Sequence, residues 1–292
     1  MSIVGRNPYL IEGPALVSFS GGRTSGYMLK HILDAHDGTL PEDVHVVFAN
    51  TGKEMPETLD FVQECGDRWG VRIVWLEHRF TDAGSHSFEI VNHNSASRDG
   101  QPFKELIDNR GFLPNPVTRY CTVELKIRTM ARYGLSLGLD EFDKVVGLRA
   151  DEWHRVSRMR NRAEKSGEKG ERDIIMPLAD AAVTKWDVRG FWNKQSFDLR
   201  LPNVHGKTPL GNCDLCFLKG ASTLLGIVRE RPDLAKWWAE AEAEAEARAS
   251  KPLGARFRND RPSYAAMIEM NDSQGDMFDW LDDNTMPCLC TD

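Results

Sequence analysis

Long hydrophobic runs are absent from this sequence of 292 residues, and no stretch approaches the ~18 apolar residues that a membrane-spanning helix needs. The first residues, MSIVGRNPYLIEGP, also lack the apolar segment of a secretory signal. An excess of positive charge is missing too, because 37 Lys and Arg stand against 44 Asp and Glu, a formal net charge of −7. We therefore expect a cytoplasmic protein with no membrane partner and no broad attraction to nucleic acid, although local basic clusters leave a nucleic-acid substrate possible.

Several phosphate-binding and catalytic motifs are missing as well. The chain has neither G-x-x-x-x-G-K-[ST] nor G-x-G-x-x-G, which argues against a Walker-type ATPase and a dinucleotide-binding Rossmann enzyme. Cysteine is scarce at six residues. Because disulfides are rare in the cytoplasm, we expect each cysteine to be buried, metal-binding or reactive. Cys65 lies in a helical pattern and is expected to be a core residue.

What the first half of the chain does have is an alternation of strand and helix patterns. Short apolar runs at residues 15–19, 44–49, 71–76 and 144–148 predict strands. The alternation predicts an α/β fold, with a parallel twisted sheet and helices on both of its faces. Polar clusters at 20–25, 50–57 and 149–155 follow strands directly, and we expect them to meet at the carboxyl edge of the sheet, where ligands of such sheets bind.

The first polar cluster has the features of an anion site. Two glycines allow a sharp turn and a close approach to a ligand, and the following helix offers unpaired N–H groups and the positive end of its dipole. Hydroxyl groups and an arginine add donors, in the run Ser20, Gly21, Gly22, Arg23, Thr24 and Ser25. A helix cap without a ligand is the alternative, and the combination of features favours a bound phosphate or sulfate.

These motifs resemble, in order, those of the phosphoadenosine phosphosulfate reductase family of PP-loop proteins. The turn at 20–25 is similar to S-G-G-x-D-S, with Thr24 where the wider group often has an aspartate that helps to hold Mg²⁺. NTGKEMPET at 50–58 resembles the D-T-G…P-E-T segment, and GLRADE at 147–152 resembles G-x-R-x-x-[DE]. Residues 176–188 resemble the P-L…W-T…D-V segment.

The resemblance implies an adenine nucleotide alpha-hydrolase-like fold and an adenine-nucleotide substrate, with the role of Mg²⁺ left open by Thr24. It also implies that Arg149 and Arg155 pair with phosphate or sulfate oxygens, which a guanidinium group can bind in bidentate fashion. A structural salt bridge with Asp151 or Glu152 is the alternative for Arg149. The residues assigned to nucleotide binding besides the turn are Thr51, Gly52, Glu57, Thr58 and Arg155.

Cys213 and Cys216 form a C-x-x-C pair, and two thiolates at this spacing can bind one metal ion or cluster. Together with Cys121 they resemble three of the cluster ligands of iron–sulfur adenylylsulfate reductases, with Tyr120 in place of the fourth. The resemblance implies a [4Fe–4S] cluster whose fourth position is open or is filled by a C-terminal cysteine. Zinc binding and a metal-free redox pair are the alternatives.

The C-terminal run PCLCTD contains Cys288 and Cys290. Reductases of the family carry a nucleophilic cysteine near the C-terminus, commonly in an E-C-G context that is absent here. A thiolate on the tail could attack sulfur, and incidental thiols in a disordered tail are the alternative. The candidate catalytic residues are therefore Cys288, Cys290 and Arg149.

The chain is predicted to have two parts, a nucleotide-binding PP-loop domain at 1–205 and a mainly helical, cysteine-containing C-terminal region with a tail at 206–292. Helices are expected near 222–230 and 232–250. The charged residues 155–172 predict a solvated loop, or a basic lid over a polyanionic substrate.

Three functions are compatible with these features. The first is an oxidoreductase that binds adenosine phosphosulfate, or its 3′-phosphorylated form, and reduces or transfers the sulfur group by cysteine chemistry with a thioredoxin-like or other thiol reductant. The second is an ATP-dependent sulfurtransferase that thiolates a nucleic-acid base with an iron–sulfur cluster. Only this second function calls for a nucleic-acid partner. The third is a nucleotide-binding redox sensor without enzymatic activity.

Overall fold

The computed structural model of the chain describes residues 7–163, 168–248 and 254–272. A six-stranded sheet forms its centre, with the strand order β4-β3-β2-β1-β5-β6. Neighbouring strands are parallel except for β3 and β4, which run antiparallel. The strands are β1 Ala15–Ser18, β2 Val44–Asn50, β3 Ile73–Phe80, β4 His86–Val91, β5 Phe142–Val145 and β6 Glu171–Ile175.

Ten α-helices surround or follow the sheet in the described residues, and none of them is long and apolar enough to cross a membrane. A π-helical segment, Thr122–Arg128, precedes α4, and a 3₁₀ turn, Ala150–Glu152, precedes α5. The α-helices are α1 Arg23–Ala35, α2 Pro56–Trp69, α3 Gln101–Arg110, α4 Thr129–Ser136, α5 Trp153–Ala163, α6 Pro177–Asp180, α7 Lys185–Trp192, α8 Ala221–Glu230, α9 Pro232–Arg248 and α10 Tyr264–Asp272.

Alternate residues of the central strands enter different hydrophobic cores, because successive side chains of a strand point to opposite faces. In β2, Val46 and Phe48 pack into one core, while Val47 and Ala49 pack into another. The predicted α/β fold, a mostly parallel sheet covered by helices with a helical C-terminal part, is therefore confirmed. Cys65 is buried in the first core, as expected.

Two strands were not foreseen from the apolar pattern, and a helix lies where a loop was expected. β4 (HSFEIV) and β6 (ERDII) are polar edge strands, so neither contains the continuous apolar run of a central strand. The prediction of a loop or lid at 155–172 is wrong at both ends, because α5 continues to Ala163 and β6 begins at Glu171. Val156 anchors α5 by packing with Leu148 in a small apolar cluster. Residues 164–167 lie outside the described part.

The C-terminal helices α8, α9 and α10 pack around the buried Trp238. Its ring stacks with that of Tyr264 (centroids 5.4 Å apart), and its Nε1 donates a hydrogen bond to Asp214 Oδ1 (2.8 Å). The same core contains Phe103 and Leu125 from the first half of the chain. The C-terminal region therefore rests directly on the α3 and π-helical side of the sheet, and the domain boundary near 205 stays a prediction.

A buried charge cluster holds the π-helical segment in place. Glu124, in the middle of this segment, accepts hydrogen bonds from Arg110 (2.9 Å), Arg128 (2.7 Å) and Arg132 (3.2 Å). Although burial alone would raise the pKa of Glu124, the contacts with Arg132 and Arg128, together with the nearby His86, keep it below its usual value. Nearby, burial and a neighbouring histidine lower the pKa of His78 from 6.5 to about 4.

This cluster predicts that the protein loses stability in mild acid. The folded chain keeps His78 neutral while the unfolded chain takes up a proton below pH 6.5, so stability should fall as the pH decreases from about 6.5 to about 4. The Glu124 contribution, present above its unfolded pKa of 4.5, is lost further down. We expect the thermal unfolding midpoint to be lower at pH 5 than at pH 7. In the variant His78→Gln, this decrease in the midpoint should be smaller. The control variant His205→Gln, at an exposed histidine, should show the same decrease in the midpoint as the parent chain. Equal decreases in the two variants would contradict this account.

Candidate functional site

A cavity of about 810 Å³ lies where the segments following β1 and β5 meet the C-terminal region. The polar clusters after these two strands therefore come together, as the parallel topology requires. The predicted site residues that line this cavity are Ser20, Gly21, Gly22, Arg23, Thr24, Thr58, Arg149, Arg155 and Cys216.

The turn between β1 and α1 is organised by the buried hydroxyl of Ser25. Its Oγ accepts hydrogen bonds from the backbone N–H groups of Ser20 (3.2 Å) and Gly22 (3.3 Å) and donates one to the Gly22 carbonyl oxygen (2.9 Å). Gly21 has φ +76, and a Cβ at this position would lie only 2.7 Å from Thr58 Cγ2. Glycine is thus required both by the backbone conformation and by the close approach of α2.

Arg23 holds a wall of the cavity. Its guanidinium group makes a bidentate pair with Asp198 (2.7 Å to each oxygen) and also donates to Thr208 Oγ1 (3.1 Å) and to the carbonyl oxygens of Leu199 and Leu201. Sequence reasoning expected this charge to face the anion. The structure instead uses it to hold residues 198–208 beside the turn, where they form part of the cavity lining.

Arg149 and Arg155 line the cavity, and each of them interacts with residues nearby. Arg149 Nη1 donates to Thr24 Oγ1 (3.0 Å), and Nε donates to Asp151 Oδ1 (2.9 Å). Arg155 pairs with Glu152. The salt bridge named as the alternative for Arg149 is therefore present, and it does not remove the guanidinium group from the cavity wall.

The segment that follows β2 contacts the C-x-x-C loop. The backbone N–H and Oγ1 of Thr51 both donate to Glu54 Oε2 (2.8 Å each), and Thr51 Oγ1 lies 3.5 Å from Cys213 Sγ. The described lining of the cavity does not include Thr51, Gly52 or Glu57, so their assignment to the nucleotide stays a prediction.

The C-x-x-C loop is fixed by two lysines. Lys53 Nζ pairs with Asp214 Oδ2 (3.0 Å) in a buried ion pair. Lys219 Nζ donates to the carbonyl oxygens of Gly211 (3.0 Å), Cys213 (2.7 Å) and Asp214 (2.7 Å). Desolvation and the nearby Glu54 raise the pKa of the Cys213 thiol well above its usual value. Of the described cysteines, Cys216 alone lines the cavity.

Comparison with known proteins agrees with this geometry. The family model for the phosphoadenosine phosphosulfate reductase domain matches residues 14–185, more than half of the chain. This chain belongs to that family. The match indicates a nucleotide-binding enzyme of the adenine nucleotide alpha-hydrolase kind. One relative is an uncharacterized nin region protein, ORF290, of Escherichia phage lambda, which is 27% identical over 270 residues, or 89% of this chain and 86% of the relative.

Three cysteines were predicted to hold a metal cluster. Cys121, Cys213 and Cys216 all contact the apolar core of the C-terminal region. Among the described residues, however, no three His, Cys, Asp or Glu side chains are grouped so that they could hold a metal ion. The described donors therefore do not fit a three-cysteine cluster site, and Cys288 and Cys290 lie outside the described residues.

The cavity is far more basic than the chain as a whole. Its lining contains eight Lys and Arg side chains and two Glu side chains, whereas the whole chain has a net charge of −7. Such a wall suits a ligand with several negative charges. Sequence reasoning assigned three of these cations to the site and missed the other five, because no motif marks those five as ligand-binding. The five are Lys185, Arg189, Lys207, Lys219 and Arg231.

The Arg23–Asp198 pair predicts a linkage between the cavity wall and nucleotide binding. Asp198→Asn should weaken the hold on residues 198–208, expose this segment to limited proteolysis and weaken binding of adenosine 5′-monophosphate about tenfold, since loss of a charged hydrogen bond costs about 1.5 kcal/mol. Asp34→Asn, which breaks an exposed pair with Lys30, is the control and should change neither. Calorimetry and protease digestion followed by mass spectrometry measure the two effects.

The two cysteines of the C-x-x-C loop should differ in reactivity. Because the pKa of Cys213 is raised, it should stay a protonated thiol and react slowly with iodoacetamide at pH 8, as should the buried Cys65. Cys216, in the cavity wall, should be modified first. Peptide mass spectrometry over a time course checks the order, and faster labelling of Cys213 would show that the described loop geometry is wrong.

Proposed function

We propose that this protein binds an adenine sulfonucleotide in the cavity and reduces or transfers its sulfur group by cysteine chemistry. The observation that carries the proposal is that one cavity contains the PP-loop turn, two arginines and a cysteine. The turn and arginines suit the phosphate and sulfate oxygens, and the cysteine suits attack on sulfur. The reducing cytoplasm is the proposed compartment, since it would keep such a thiol available.

Cys216 is proposed as the nucleophile. Its thiolate would attack the sulfur of adenosine phosphosulfate, or of the 3′-phosphorylated form, forming an S–S bond while the S–O bond to the phosphate breaks and the nucleotide leaves with the electron pair. A thiol reductant of the thioredoxin or glutathione kind would then attack the Cys216 sulfur and release sulfite. A second thiol would reduce the resulting disulfide. The raised pKa of Cys213 supports assigning the attack to Cys216.

Arg149 and Arg155 are proposed to stabilise the charge that develops on the departing phosphate. The bond between Arg149 Nη1 and Thr24 Oγ1 (3.0 Å) supports this role, because it holds the guanidinium group directly beside the turn. Thr58 supports the nucleotide assignment independently. Its hydroxyl is buried beside the cavity with no hydrogen-bond partner among the described residues, so a ligand would satisfy it.

Sulfite release tests the proposal. The purified chain is given adenosine phosphosulfate or its 3′-phosphorylated form with thioredoxin or glutathione, and we expect sulfite together with the matching nucleotide. Arg149→Ala should lower kcat/KM by about 10²–10³, as expected for loss of a charge-stabilising donor, while Arg248→Ala on α9 is the control. Cys216→Ser should abolish release, and before reductant is added the parent chain should carry a sulfonate group on Cys216.

Further variants and assays of the purified chain separate the other assignments. If Cys216→Ser retains activity while Cys288→Ser or Cys290→Ser loses it, the nucleophile is on the tail. Iron content and visible absorbance of protein purified without oxygen test the predicted [4Fe–4S] cluster. Pyrophosphate release from ATP without sulfite, with or without Mg²⁺, would reject the sulfonucleotide reaction and favour the sulfurtransferase. Tight nucleotide binding without turnover would favour the redox sensor.

A further inference from the structure

We propose that a single-stranded nucleic acid binds across the mouth of the cavity, with bases stacked on Trp153 and Trp186 and phosphates paired with the surrounding Lys and Arg side chains. This surface goes beyond the proposed function, since binding and turnover of a sulfonucleotide require neither tryptophan. Neither ring belongs to the described cavity lining.

Among the described residues, Trp153 and Trp186 are the tryptophans whose side chains are exposed. Trp153 is 62% exposed and Trp186 is 56% exposed, whereas Trp75, Trp192 and Trp238 are buried. A lone exposed apolar side chain needs no explanation, but two of the largest side chains exposed near the starts of two joined helices indicate a contact surface.

Hydrogen bonds join the two segments that contain the tryptophans, beside the cavity. Trp153 begins α5, and Trp186 lies in the first turn of α7. The backbone N–H of Lys185 donates to Asp151 Oδ2 (3.3 Å), and that of Ala150 donates to the Val183 carbonyl oxygen (2.8 Å). The starts of the two helices are thus joined, and flanking residues of both line the cavity.

Cations lie against the Trp186 ring and along the helix that begins at Trp153. Lys185 Nζ lies 4.9 Å from the centre of the Trp186 ring, and Arg189 Cζ lies 5.9 Å from it. On α5, Arg158 is exposed and Arg155 lines the cavity. The interleaving of cationic and aromatic side chains in a chain of net charge −7 means that this positive potential is local.

This arrangement favours a single strand over other polyanions. A base offers a flat face to an aromatic ring while its phosphate meets a neighbouring cation, and this combination is how proteins hold single strands without reading their sequence. In a duplex the faces of the bases are covered by stacking on each other. An acidic peptide provides carboxylates but lacks the repeated planar groups that could stack on two tryptophans. Residues that flank the two tryptophans in the sequence also line the basic cavity, so the proposed surface adjoins it.

Fluorescence anisotropy tests the proposal with labelled single-stranded DNA and RNA of about 20 nucleotides, longer than the site sizes of most single-strand binders. We expect binding at low salt, with weaker binding of the matching duplex. Trp153→Ala and Trp186→Ala should each weaken binding about tenfold. Arg158→Ala should reduce the slope of log K against log salt by about 0.7, as for one lost contact with a single strand.

Ile90→Ala, which removes another exposed apolar side chain, and Arg248→Ala are the matched controls and should bind as the parent does. Binding of adenosine 5′-monophosphate is measured in parallel and should be unchanged in the tryptophan variants, so failure here is distinct from failure of the nucleotide site. No oligonucleotide binding, or binding that the tryptophan variants do not weaken, overturns the proposal. A dimer in solution that these variants dissociate also overturns it, because the surface would then join two copies.

Discussion

The buried ion pair between Lys53 and Asp214 joins the two halves of the molecule, and the candidate site depends on it. Lys53 follows β2, and Asp214 lies between the two cysteines of the C-x-x-C loop. The pair is reinforced by the backbone bond from Asp214 N–H to the Lys53 carbonyl oxygen (2.8 Å) and by Trp238. A buried pair adds little stability over an apolar contact, but it tolerates few alternative arrangements. It therefore fixes where Cys216 lies relative to the sheet.

Cationic side chains of the cavity wall are paired with carboxylates that lie close to them in the sequence. Arg149 is partly neutralised by Asp151, and Arg155 by Glu152. Thr24 also holds the Arg149 guanidinium group beside the turn, so an anion that displaced Asp151 would meet a side chain whose entropy is already reduced. The acidic neighbours thus keep a dense group of cations compatible with the folded state, where mutual repulsion would otherwise be costly.

The sequence was sufficient for the central strands and for the turn at 20–25, because apolar runs and glycines act locally. It was insufficient for β6, whose residues ERDII read as polar, and for the partners of Arg23, which lie about 175 residues further along. Spacing alone also could not separate Cys213 from Cys216, since their difference in environment comes from the segment after β2 and from the cavity. Local pattern therefore predicts elements, whereas tertiary packing assigns the side chains their roles.

Threonine at position 24 is consistent with a site that neutralises its ligand with arginine. An aspartate in its place would stand against Arg149 Nη1, which lies 3.0 Å from the Thr24 hydroxyl, and would cancel much of that positive charge. The hydroxyl accepts the same hydrogen bond without adding a negative charge, so it does not neutralise the guanidinium group any further than Asp151 already does. Threonine at position 24 and the arginine after β5 are therefore electrostatically compatible neighbours.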